Sequence, residues 1–287
     1  MATLPVEGRW SLRLLSEDDF KGALEFLQRD ALINVYLVSR LLEERMVASS
    51  QIAVVRYNGA IVLVVSLATN IVLAGDPSIA DEITETAIAL VADRILTRML
   101  PVRAIISPAH LVESLWTALR TRLDPPTVVR MNQPIYALRK APDYPDLTRA
   151  RYATPRDLDQ LVPACAAMHT EEVGIDPMQR DAVGYRERIR ELAEKKRSVI
   201  LVEEGVIAAK CEYSAVTPET VQLMGVWTNP RMRRRGFSRQ LLTEVCGHLS
   251  RKGKTVTLFV NDFNAPAIAL YESLGFKRIG LNRALIW

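Results

Sequence analysis

The residues with the most chemistry in their spacing run from Val226 to Leu242: Val-Trp-Thr-Asn-Pro-Arg-Met-Arg-Arg-Arg-Gly-Phe-Ser-Arg-Gln-Leu-Leu. An apolar strand-like start gives way to a basic turn around Gly236, and an amphipathic helix follows. A helix that begins at such a turn leaves its first backbone N–H groups without intrahelical partners, and its dipole favours negative charge there. Arg233, Arg234, Arg235 and Arg239 add charge-assisted donors around the same point. Phosphate or pyrophosphate recognition is the chemistry such a turn offers.

A second constellation lies downstream. Thr255–Asn261 is strand-like, and Asn264-Ala-Pro-Ala-Ile-Ala-Leu-Tyr-Glu-Ser-Leu-Gly-Phe276 follows it. In this order the two stretches resemble the GCN5-related N-acetyltransferases. That family's first motif is Arg/Gln-x-x-Gly-x-Gly/Ala, against Arg233-Arg-Arg-Gly-Phe-Ser238 here; Ser238 is the departure. Its second is Asn-x-x-Ala-x-x-Leu-Tyr-Glu-x-x-Gly-Phe, which Asn264, Ala267, Leu270, Tyr271, Glu272, Gly275 and Phe276 match. The resemblance covers residues from about Leu147 to Trp287.

The resemblance implies an α/β (mixed α+β sheet) acyl-CoA N-acyltransferase fold and acetyl-CoA as acyl donor, with no metal. The loop Arg233, Arg234, Arg235, Gly236, Phe237, Ser238 and Arg239 would hold the pyrophosphate. Val226, Trp227 and Thr228 would pair with the pantetheine arm as an added strand, and Asn264 would hydrogen-bond it. Asn264 also fits a helix N-cap, since Ala265-Pro266 follows. Tyr271 is the general-acid candidate for the departing sulfur, with a packed aromatic as its bland alternative. The strand before the basic turn, where relatives carry a glutamate, offers only Gln222, Met224 and Gly225. The base is therefore open among Glu212, Glu171 or Glu172, His169 and a water relay. No cysteine has a readable His and carboxylate partner, so direct transfer in a ternary complex is expected. The acceptor is a small-molecule or peptide amine, which Glu171, Glu172 and Asp176 would attract; the same run also reads as a solvated loop. The alternative function is a catalytically weak acyl-CoA-binding regulatory or scaffold protein.

Composition limits the other readings. The chain has 287 residues, 49% hydrophobic and 24% charged, with a net charge of +4. Aromatics do not interleave with the arginines as base stacking requires, so nucleic acid is not the expected partner. No apolar run reaches membrane-spanning length; Ile61–Ala74 is broken by Ser66, Thr69 and Asn70 and reads as strands. The start shows no basic-then-apolar leader, and Cys165, Cys211 and Cys246 suggest reduced thiols. A cytoplasmic protein without membrane attachment is expected, and a homodimer is left open.

The elements that must position these residues fall into two regions, 1–140 and 147–287, joined by the Pro-rich Arg139–Asp146. In the second, Thr154-Pro155 opens a helix to about Met168. A loop 171–177 leads to a helix over Gln179–Lys196, and strands 198–203 and 206–215 flank Glu204-Gly205. Strand 221–228 precedes the basic turn, then come a helix Arg235–Arg251 with Leu241, Leu242, Val245 and Leu249 inward, strand 255–261, helix 265–274 and a final pair of strands near 277–287. The first region gives nearly the same order: strand 10–14, helices 17–27 and 34–46, strands 52–56, 60–67 and 70–74, helix 77–96, strand 102–107, helix 108–120 and strands over 128–138. There Gly75-Asp76-Pro77-Ser78 replaces the arginine–glycine turn, and helix 108–120 lacks the Asn and Tyr. The expectation is a degenerate copy of the second region, or an unrelated α/β domain, ahead of the active one.

Overall fold

The computed structural model describes residues 7–44 and 51–287. In chain order the elements are β1 (Trp10–Leu14), α1 (Glu17–Gln28), α2 (Val35–Glu44), β2 (Ile52–Tyr57), β3 (Ala60–Leu67), β4 (Asn70–Gly75), α3 (Asp81–Thr97), β5 (Ala104–Pro108), α4 (Ala109–Leu119) and β6 (Val128–Leu138). The order then repeats: β7 (Ala150–Tyr152), α5 (Leu158–Val173), α6 (Pro177–Glu194), β8 (Ser198–Glu203), β9 (Val206–Val216), β10 (Thr220–Thr228), α7 (Phe237–Arg251), β11 (Thr255–Phe259), α8 (Ala265–Ser273) and β12 (Lys277–Ile286).

Strand pairing repeats with the order. In the first set β1–β2, β2–β3 and β3–β4 are antiparallel and β4–β5 is parallel. In the second, β7–β8, β8–β9 and β9–β10 are antiparallel and β10–β11 is parallel. Local devices repeat too. Asn58-Gly59 and Glu204-Gly205, all at positive φ, turn the β2–β3 and β8–β9 hairpins; two left-handed residues in a two-residue loop match the twist of the strands they join. Asp19 accepts from the Ser16 N–H and hydroxyl, and Asp157 from the Thr154 N–H and hydroxyl. Each capping box starts the first helix of its set.

The chain folds into two compact units. The first holds Met1–Ile135, Phe259–Asn264 and Arg278–Trp287; the second holds Tyr136–Leu258 and Ala265–Lys277. The linear split at 140/147 follows the chain, whereas β12 pairs antiparallel with β5 in the first unit, and β6 ends in the second. In the first unit α3 and α4 cover one face of the sheet, with Ile88, Val91, Val112 and Leu115 inward. Phe26, Leu27, Leu37 and Leu41 of α1 and α2 build a separate core cluster. In the second unit α5 and α6 pack Leu161, Cys165 and Ile189 with Ile200, Ile207 and Trp227.

Several expected boundaries move. The pair of strands near 277–287 is one strand, β12, which carries Gly280 and Asn282 without turning, and 128–138 is also one strand, with Asn132 and Pro134 inside it. α7 starts at Phe237, not Arg235, because Arg234 and Gly236 are left-handed. α6 spans Pro177–Glu194 with a break at Asp181, whose carboxylate accepts from the Gly184 N–H. α5 continues through Glu171 and Glu172 to left-handed Gly174, so those carboxylates are helical rather than in a loop. α3 starts at Asp81, past Pro77. The expected end of α2 at Met46 lies outside the described residues. No helix among the described residues is long and apolar enough to cross a membrane.

Candidate functional site

The site grows from one irregular strand. Along β10, Met224 pairs with Glu212 and Trp227 with Lys210 on β9. Two residues, Gly225 and Val226, therefore stand opposite the single Cys211, which is a β-bulge. Gly225 carries φ +58°, and a Cβ there would lie 2.4 Å from Glu212 Oε2 and 3.0 Å from Met168 Sδ. Glycine is required at this point for both reasons. On its other side β10 pairs with β11 only over Thr220–Gln222. From Leu223 to Thr228 that edge has no strand partner among the described residues. The backbone groups of Val226 and Thr228 thus sit on a strand that parts from its neighbour, while the Trp227 side chain is buried in the core against α5 and α6.

The chain then turns into α7. Asn229 accepts from the Arg231 N–H, and a short 3-10 turn over Pro230–Met232 buries Met232. Arg234 is left-handed at φ +61°. Gly236, also left-handed, takes the N-cap position, and no side chain caps the helix. The first-turn N–H groups of Phe237, Ser238 and Arg239 consequently lack intrahelical partners. Arg234, Arg235, Gly236 and Arg239 are exposed around them, with the Arg235 guanidinium 5.2 Å over the Phe237 ring. Ser238, the departure from the family pattern, hydrogen-bonds its hydroxyl to that of Thr228. The extra oxygen fastens the end of β10 to the first turn of α7.

Three further contacts fix what surrounds the turn. Arg233 donates to the Thr228 carbonyl at 3.3 Å and to Glu171 at 2.6 Å. Arg239 donates to Ser273 Oγ of α8 at 2.8 Å. Tyr136 donates to Glu272 at 2.9 Å, holding the same helix. Tyr271, on α8, is 6% exposed and its ring lies 5.9 Å from that of Phe276. Burial raises its phenol well above the ordinary value, and the Glu172 carboxylate raises it further. Tyr271 is thus a neutral hydrogen-bond donor, close enough to feel the charge on Glu172. Asn264 is exposed, with its N–H on the Asn261 carbonyl at 2.9 Å, one residue before α8.

Glu212 is occupied differently from an open base. It is 3% exposed and Lys210 is fully buried. Glu212 Oε1 accepts from Lys210 Nζ at 2.6 Å and from Cys165 Sγ at 3.1 Å, and Lys210 Nζ also reaches Met168 Sδ at 3.5 Å. Burial is the largest influence on the Lys210 ammonium and would lower it; the Glu212 carboxylate, together with Cys165 and Tyr185, raises it, and the net shift is upward. Burial, then Glu212, pushes the Cys165 thiol up, so it stays a thiol. The sequence gives Lys210 and Met168 no site role and Cys165 only that of a reduced thiol, whereas Cys165 has Glu212 as its partner. The available signal was the i, i+2 pair Lys210 and Glu212 within an apolar strand, which pleating places on one face.

The turn after β4, at the equivalent place in the first repeat, is filled by its own carboxylate. Asp76 accepts from the Ser78 hydroxyl and N–H and from Arg29. Those bonds, the Ser78 hydroxyl foremost, hold the carboxyl below its usual range.

Comparison with known proteins agrees with this geometry. Residues 203–286 match the FR47-like protein family, and residues 62–161 match a family described as a domain of unknown function (DUF4081). The chain is 37% identical over 84 residues to the ribosomal protein bS18-alanine N-acetyltransferase of Escherichia coli (strain K12), a match covering 29% of this chain and 56% of that protein. It is 39% identical over 69 residues to the Salmonella typhimurium protein of the same description, covering 24% and 47%. The chain thus spans about half the length of the curated relatives it matches. Among solved structures, a GCN5-related N-acetyltransferase from Sphaerobacter thermophilus superposes with a TM-score of 0.62 at 17% identity, over 98% of this chain and 96% of that one. A tandem GNAT protein from the clavulanic acid biosynthesis pathway gives 0.55 at 15% identity, over 97% and 98%.

Residues 203–286 are thus similar in sequence to the FR47-like family and to curated N-acetyltransferases. The fold of the chain is the acyl-CoA N-acyltransferase fold, and the tandem neighbour spans the whole of it. The two repeats differ in charge where chemistry would occur: neither α3 nor α7 has a side-chain cap, but four arginines stand beside the start of α7, whereas Asp76 precedes α3 and Asp81 and Glu82 open it.

Proposed function

We propose that the chain is an acetyl-CoA-dependent N-acetyltransferase whose site is carried by its second repeat, 147–287, and that region 1–140 is a degenerate copy without an acyl-donor site. The observation that carries this reading is the uncapped N-terminus of α7, ringed by exposed arginines, directly after a bulged strand with an unpaired edge. Charge-assisted donors and oriented N–H groups suit a pyrophosphate. A free strand edge suits an extended amide-containing arm, which pairs with it as a further strand.

Acetyl-CoA would supply the thioester. The backbone at Val226 would hydrogen-bond the thioester oxygen as charge gathers on it. The acceptor amine attacks the carbonyl carbon, the new C–N bond forms and the C–S bond breaks. Tyr271 would donate its proton to the departing sulfur, a role its neutral, buried phenol supports. Glu172, exposed at the end of α5 and electrostatically linked to Tyr271, would take the amine proton, directly or through water. Glu212 is tied up by Lys210 and would act by holding the bulge in place. Asn264, ahead of α8, would bond the pantetheine arm. The curated relatives are named for acetylating an alanine of a ribosomal protein; a small-molecule or peptide amine is the acceptor class proposed here.

Calorimetric titration with acetyl-CoA of the wild type and of Gly236→Glu tests this. Saturable binding by the wild type that is lost in the variant is the expected result. Wild type that binds no acetyl-CoA, or a variant that binds it equally, overturns the reading.

A further inference from the structure

Gly225, which has no side chain, leaves a notch in β10 on the side that faces α5. A Cβ built there would lie 3.0 Å from Met168 Sδ, with the Glu212 carboxylate closing the other side. Carbon atoms in contact ordinarily stand about 3.5–4.0 Å apart, so the notch is shallow and both of its walls are already in place. It lies one residue ahead of Val226, whose backbone is the proposed contact for the thioester oxygen. The walls therefore stand where the acyl chain of a donor would end.

Met168 is the last buried residue of α5, 8% exposed, and it belongs to the same core cluster as Leu161, Cys165 and Trp227. Glu172 follows one turn later on that helix face. An amine that gives its proton to Glu172 thus approaches the acyl carbon past Met168.

A methionine by itself makes a soft wall, because its unbranched chain changes rotamer readily. This one is held. Lys210 Nζ, fully buried, sits 3.5 Å from Met168 Sδ and 2.6 Å from Glu212 Oε1, and Cys165 Sγ meets the same Glu212 oxygen at 3.1 Å. The ammonium cannot follow a moving thioether without leaving a buried carboxylate that depends on it. Glu212 is a wall of a different kind. An apolar chain pressed against it would exclude polar contacts from the carboxylate and replace none of them.

We propose that Met168, pinned by Lys210, sets the chain length of the acyl donor: the site takes an acetyl group and excludes linear chains of butanoyl length or longer. The inference rests on the transferase reading, which puts the acyl carbon beside Val226, and it adds the residue that selects among donors. An acetyl methyl needs only the mouth of the notch. Each further methylene must enter volume that Met168 occupies.

The test titrates acetyl-CoA and butanoyl-CoA into the full chain by calorimetry, so that no acceptor amine is needed. The readout is the ratio of their dissociation constants in each protein, in which a general change of affinity cancels. Wild type should bind butanoyl-CoA at least about tenfold more weakly than acetyl-CoA, the scale on which a tight pocket discriminates methylenes. Met168→Ala leaves a cavity that the added methylenes can fill, and should bring the ratio to about one. Met168→Val, a smaller truncation, takes its place if circular dichroism and melting show Met168→Ala to be unfolded, and should lower the ratio at least about threefold. Equal affinities in wild type overturn the proposal and leave the transferase reading intact. So does a folded truncation whose ratio equals that of wild type. Wild type that binds neither donor overturns both.

Discussion

The Glu212 carboxylate lies directly against Gly225: a Cβ on the glycine would come within 2.4 Å of Glu212 Oε2. The bulge of β10 and the buried ion pair of β9 are thus one object. A carboxylate fills the space that any other residue at 225 would need, and Lys210 holds that carboxylate where it is.

Gly225→Ala is expected to lose stability on two counts, the left-handed φ of +58° and the contact with Glu212. Strain of this kind costs about 1–3 kcal/mol. Acetyl transfer should fall further than stability explains, by about a hundredfold, because the displaced backbone belongs to the proposed thioester contact. Denaturant unfolding and kcat/KM measured on the same protein separate the two effects.

Lys210→Met should be more damaging than its conservative volume suggests. It leaves Glu212 buried without its counter-charge, a loss of about 3–5 kcal/mol. The double variant Lys210→Met/Glu212→Leu removes both charges and should regain most of that stability. Equal unfolding midpoints for Lys210→Met and wild type would show that the pair does not hold the bulge.

Tyr271→Phe keeps the ring that packs on Phe276 and removes only the hydroxyl. The expected outcome is a fall in kcat of about a hundredfold with acetyl-CoA affinity unchanged by calorimetry. Unaltered turnover would remove Tyr271 from the chemistry and leave it a packing residue.

Asp19 gives the first repeat a pH dependence. Burial opposes its charge, but bonds from Ser16, Arg56 and Arg13 prevail and depress the carboxyl from 3.8 to about 2. A depressed pKa means stability that is complete above the unfolded value and lost as pH falls. The loss should therefore run from about pH 4 down to about 2 and amount to about 2 kcal/mol. Asp19→Asn should be less stable near neutrality, with a flatter profile across that window in unfolding experiments.

Much of the local geometry around the candidate site was legible because its requirements are local. Arg233 to Arg239 give a basic turn ahead of a helix through residue type and spacing alone, and α7 buries Leu241, Leu242, Val245 and Leu249 as their helical period requires. The capping box at Thr154 and the Glu204-Gly205 turn are equally local. The end of α5 was not legible, because Glu171 and Glu172 are as acceptable in a loop as in a last helical turn; Gly174, only a few residues later, decides it.

What this sequence determined by itself is the order of its elements and the identity of its two motif segments, since helix periods, β-branched runs and turn glycines act within a few residues. Tertiary structure alone decided that β12 joins the strands of the first unit, that Lys210 neutralises Glu212 beneath Gly225, and that Met168 of α5 stands against the same glycine. Strand partners are chosen by hydrogen bonding and packing between residues far apart in the chain. The fate of a buried charge depends on what packs against it, and neither leaves a periodic trace in the sequence.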